Sequence, residues 1–78
     1  MSNLEMYNKA FMDTFEISED KLAGIKYQDI PSWDSVGHMS LVAALEDAFS
    51  IMMDTDDIID LSSYEKGKEI LKKYNVEI

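Results

Sequence analysis

The run from Ser35 to Phe49, SVGHMSLVAALEDAF, constrains the fold most, because its apolar residues recur at the spacing of one helical face. At 100° per residue His38, Leu41, Val42, Leu45, Phe49 and, just past the run, Met52 fall on one side. This stripe is the expected core contact, and a helix carrying it needs partners elsewhere in the chain. Residues 3 to 15 place Leu4, Tyr7, Phe11 and Phe15 at three- and four-residue steps, which predicts a first amphipathic helix.

Between these helices, residues 16 to 33 carry Gly24, Pro31 and scattered polar side chains together with Ile17, Leu22, Ile25, Tyr27 and Ile30. A connection this long is uncommon in a small domain unless it packs its own apolar residues. It is expected to be an ordered crossover loop with one helical turn near Ser18 to Leu22. Acids crowd at Asp54, Asp56 and Asp57, where they favour the dipole of a short third helix reaching about Asp60. Ser62 and Glu65 have the spacing of a capping box for a last helix, with Tyr64, Gly67, Leu71 and Tyr74 along one face and Ile70 beside them. Gly67 lowers helix propensity by about 1 kcal/mol relative to Ala, and close approach to a neighbouring helix is the expected compensation. The reading is a single all-α domain over residues 1–78: a four-helix bundle with a long first connection and a short third helix.

Seventy-eight residues are few for a deep substrate cleft with its own catalytic apparatus, so a binding or carrying module is favoured over an enzyme. With no cysteine, disulfides, thiolate metal sites and cysteine nucleophiles are excluded, and helix packing must hold the core. A net charge of -9 makes nucleic acid and anionic membranes poor partners and basic protein patches good ones. Self-repulsion favours a monomer. No segment reaches transmembrane length and the N-terminus lacks a signal-peptide pattern, which leaves the cytoplasm as the expected compartment.

Opposite the apolar stripe, Val36, Met39, Ser40, Ala43 and Asp47 form a second file that is small and partly apolar, with Glu46 at its flank. It is either a protein-docking surface or covered by the third helix or the long loop. At the head of the same helix Asp34 and Ser35 both have side chains that cap free backbone N–H groups. A helix N-terminus also favours a phosphate, and Gly37 is expected to leave room for one on Ser35 Oγ.

Asp34-Ser35-Val36, followed by Leu41, Val42, Ala44, Leu45, Glu46, Asp47, Phe49 and Ile51, resembles the acyl carrier proteins, and the likeness extends along the whole chain. The resemblance implies the acyl-carrier type of four-helix bundle. It also implies a 4'-phosphopantetheine group, donated by coenzyme A through a phosphopantetheinyl transferase, on Ser35. The arm would hold an acyl or aminoacyl group as a thioester, and the chain would be a protein-bound substrate, not an enzyme. Asp34 would serve as cap and recognition residue, and Val36 would make an apolar contact beside the arm. Val36, Met39, Ser40, Ala43, Glu46 and Asp47 would meet basic docking patches on an acyl-loading ligase or synthase and on downstream transferases. Leu41, Val42, Leu45, Phe49 and Ile58 would border a pocket for the acyl chain.

Gly37 and Ser40 stand where typical fatty-acid carriers have acids, two and five positions after the serine, which points to a specialised pathway. Trp33-Asp34-Ser35 with Gly37-His38 also resembles stand-alone carriers, including D-alanyl carriers of cell-surface polymer modification. From other classes, an unmodified acidic interaction module would use the same file and leave Ser35 bare. A calcium loop over Asp54 to Glu65 fails at Ile58 and Ile59, where a ligand and a glycine are required. His38 as a general base beside Ser35 lacks a third group and an oxyanion site, so it is expected to pack against the loop.

Overall fold

In a computed structural model describing residues 1–78, the chain is all-helical, with four helices and no strands. They are α1 (Asn3–Phe15), α2 (Ser35–Phe49), α3 (Thr55–Asp60) and α4 (Tyr64–Lys72). No helix is long and apolar enough to cross a membrane.

Each start has a local cause. Ser2 and Glu5 form a reciprocal capping box at α1, and Asp34 Oδ1 accepts from the Gly37 N–H, 2.8 Å away, at α2. The cap of α4 is Ser63, whose hydroxyl accepts from the Lys66 N–H, and not Ser62. Ser62 instead gives its carbonyl to the Tyr27 N–H at 2.9 Å, so its backbone is committed to the long connection. The ends of α1 and α2 turn through left-handed residues that are not glycine, Glu16 and Ser50, both at φ 54°. α4 stops at Lys72, so Tyr74 lies beyond the helix on whose face the spacing placed it.

One apolar cluster joins α1, α2 and α4, and Ile58 of α3 packs against it. Tyr7, Phe11 and Phe15 of α1 meet Leu41, Val42 and Leu45 of α2 and Tyr64, Ile70 and Leu71 of α4. Met52 does not belong to the stripe: α2 has ended, the chain has turned at Ser50, and its side chain is 85% exposed while Met53 is buried. The connection contributes Leu22, Ile25 and Trp33 to the core and includes a single 3-10 turn, Glu19–Lys21, as the sequence led us to expect.

At Gly67 the Tyr7 side chain of α1 presses against α4. A Cβ there would lie 2.1 Å from the Tyr7 hydroxyl and 2.9 Å from Leu61 Cδ1, and that hydroxyl is fixed by its 2.6 Å bond to the Tyr64 carbonyl. Burial pushes the Tyr7 phenol above its ordinary pKa, so it stays a donor.

α3 is tied down by a buried carboxylate that sequence reading assigned only to the helix dipole. Asp57 accepts from Lys73 Nζ at 2.5 Å and from the Tyr74 hydroxyl at 2.6 Å, and the same hydroxyl accepts from the Asp54 N–H. The hydrogen bond from Lys73, and then that from Tyr74, hold the Asp57 carboxyl below its usual pKa, while the bond to Asp57 raises Lys73 and Tyr74.

Two outcomes follow from this packing. Gly67→Ala, despite its gain in helix propensity, should lose about 1–3 kcal/mol of stability in urea titrations, and less in a Tyr7→Phe background where the obstructing oxygen is gone. Because the Asp57 carboxyl is depressed in the folded state, its contribution is present above the ordinary aspartate value near about 3.9 and disappears as pH falls through the lower folded value. Asp57→Asn should therefore flatten the acid limb of the stability profile, and an unchanged limb would show that this carboxylate is not what acid titrates.

Candidate functional site

The site at the head of α2 is positioned by Trp33. Its ring is fully buried, stacks on Phe15 at 5.1 Å between centroids and meets Phe11 edge-on. A buried indole has one polar atom, a donor, and it must be satisfied. Trp33 Nε1–H donates to His38 Nδ1 at 3.0 Å, so the other imidazole nitrogen carries the proton and donates to the Ile58 carbonyl of α3 at 2.7 Å. The lone histidine thus binds the long connection and α3 to α2. As expected it packs against the loop, and neither ring nitrogen is free to take a proton from Ser35.

Gly37 does not provide room for a phosphate. A Cβ at this position would lie 1.9 Å from the Ser32 carbonyl oxygen and 3.3 Å from Phe15, so the missing side chain lets α2 press against the connection. Asp34, extended at the cap, holds the Gly37 N–H with its side chain and the His38 N–H with its carbonyl. The Ser35 and Val36 N–H groups have no acceptor within the chain. Ser35 is exposed, with Oγ 3.3 Å from the Tyr27 hydroxyl.

Beside it opens a cavity of about 350 Å³ between the connection, the first turns of α2, and α3 with the segment after it. Tyr27, Ser35, His38, Met39, Ile58 and Ile59 line it, with Leu61 and Ser62. Of the pocket residues expected from the sequence, only Ile58 is here. Leu41, Val42 and Leu45 are closed into the core and Phe49 packs half-buried against it. Tyr27, Ile59, Leu61 and Ser62 had no short-range signal, because their convergence depends on two long-range backbone bonds, Tyr27 N–H to Ser62 O and Tyr64 N–H to Ile25 O.

The second file of α2 is uncovered. Val36 is 77% exposed and Met39 52%, and Ser40, Ala43 and Asp47 are exposed as well. Ile59, 71% exposed, extends the apolar surface across the cavity on α3. Glu46 is partly buried, and its carboxylate accepts from the Met53 N–H at 2.8 Å, which fixes the turn after α2.

Comparison of the chain with family models, with curated proteins and with solved structures finds no match in any of the three. No group of three or more His, Cys, Asp or Glu side chains is arranged to hold a metal ion. The arrangement offers an exposed hydroxyl at a helix N-terminus, two free amides beside it, and an adjoining apolar cavity.

His38→Leu should remove both bonds and leave the buried Trp33 N–H unpartnered, at about 1–3 kcal/mol. Denaturant melts followed by Trp33 fluorescence would register the loss, together with an altered native emission that a distant substitution of equal cost would not produce.

Proposed function

We propose that this chain is a carrier of the acyl-carrier type, holding a 4'-phosphopantetheine arm esterified to Ser35. The observation that carries this reading is the setting of Ser35, the first residue of α2, with an exposed Oγ at the mouth of an apolar cavity. The residues fit the group: a phosphodiester on Oγ would have the unpaired Ser35 and Val36 amides and the positive end of the α2 dipole beside it. The four-helix arrangement with its long first connection is consistent with the same type. When attached, the arm supplies the thiol that carries an acyl or aminoacyl group as a thioester. The chain's own residues hold and present: Asp34 keeps the first turn of α2 closed, and Gly37 and Trp33 fix that turn against the connection.

Val36, Met39, Ser40, Ala43 and Asp47 form the proposed face for the phosphopantetheinyl transferase, the acyl-loading ligase or synthase and downstream transferases. Its apolar centre and the acidic character of the chain suit enzymes with a basic rim around an apolar socket. The mainly apolar wall of the cavity suits an acyl chain.

Intact mass before and after incubation with coenzyme A and a broad-specificity phosphopantetheinyl transferase tests the reading. One added phosphopantetheine on wild type and none on Ser35→Ala is the expected result. A folded wild type that gains nothing from several transferases would leave the exposed α2 face to an unmodified interaction module.

A further inference from the structure

Tyr27 carries the one side-chain hydroxyl within hydrogen-bonding distance of Ser35 Oγ, and its position is fixed from both sides. Its backbone N–H is bonded to the Ser62 carbonyl, the preceding residue bridges to Ser63, and the chain turns left-handed immediately after it at Gln28, φ 70°. Its ring meets Trp33 and His38 edge-on, at 6.3 and 5.6 Å between centroids. A phenylalanine would satisfy all of that packing. The phenol oxygen makes no hydrogen bond in the chain other than the contact with Ser35 Oγ, so folding leaves it otherwise unused.

We propose that Tyr27 is a positioning residue for the group carried on Ser35, its hydroxyl donating a hydrogen bond to the phosphate once Ser35 is esterified. The inference rests on the reading of Ser35 as the attachment point. At 3.3 Å the free hydroxyl pair is long for an O–H···O bond, and either oxygen is able to donate. Esterification changes that balance. Ser35 Oγ forms a bond to the β-phosphorus of coenzyme A, the bond from that phosphorus to the bridging oxygen breaks, adenosine 3',5'-bisphosphate leaves, and the serine proton passes to a general base of the transferase. Serine then has no proton to donate, and Tyr27 faces an anionic phosphodiester, to which a hydroxyl makes a shorter and stronger bond. Before the reaction the same hydroxyl restricts the rotation of Ser35 and directs its oxygen.

The test compares wild type with Tyr27→Phe, which keeps the ring, after confirming equal urea midpoints. Modification by the transferase is followed by mass, and the phosphodiester of each product by ³¹P NMR in folded and in urea-unfolded protein. The expected result is a fall of about fivefold to tenfold in kcat with KM little changed, the equivalent of one hydrogen bond. It is joined by a ³¹P resonance in folded Tyr27→Phe displaced from the folded wild-type position toward the unfolded one. If wild type and Tyr27→Phe are modified at the same rate with the same folded resonance, the role of Tyr27 is overturned while the carrier reading stands. If wild type accepts no arm at all, both fall together.

Discussion

The indole of Trp33 has one polar atom, and burial of the ring obliges that atom to find an acceptor inside the protein. The acceptor is His38, and the bond it makes fixes the end of the connection at a definite height along α2. The stacking of the indole on Phe15 fixes the same residue against α1, and the second nitrogen of His38 extends the tie to α3. Ser35 lies between Trp33 and His38 in sequence, so its place at the head of α2 follows from contacts made on either side of it. Trp33 and Phe15, which set that place, do not themselves line the cavity beside Ser35.

Charge acts differently in different parts of the molecule. Most of the sixteen acids lie exposed and give the chain a field that repels its own kind and attracts cations. Asp57 is the one that is buried, desolvated by packing and kept ionised by hydrogen bonds from Lys73 and Tyr74. An unpaired charge in that position would be strongly unfavourable, so the segment after α4 is needed to complete α3 even though the two are distant in sequence.

Helical spacing made the helices of this fold legible, and the limits of the α1 and α2 stripes can be traced to single residues. Tyr7, Phe11 and Phe15, or Leu41, Val42 and Leu45, recur at intervals that only a buried helix face satisfies. Asp34 was legible as a cap because its chemistry is local. Ser62 and Ser63 are adjacent residues of the same type, and what separates them is the Ser62 carbonyl bond to Tyr27, which no local pattern encodes. Met52 was misplaced because α2 ends on Ser50 in a left-handed conformation without the glycine that would have marked the stop. Within the site, Ser35 and the exposed file were readable from the helix itself. The cavity wall was not, since Tyr27, Ile59 and Ser62 come from segments brought together by tertiary bonds.

α3 has six residues, too few for a helix to persist on its own in water. Four of the seven residues from Asp54 to Asp60 are acidic, and they repel one another. Its helicity is thus borrowed from outside: from Lys73 and Tyr74 through Asp57, and from His38 through the Ile58 carbonyl. The other three helices supply the buried helical residues of the apolar core. α3 depends on contacts outside itself, and since Ile58 and Ile59 wall the cavity beside Ser35, the polar ties that hold this short helix also place that wall.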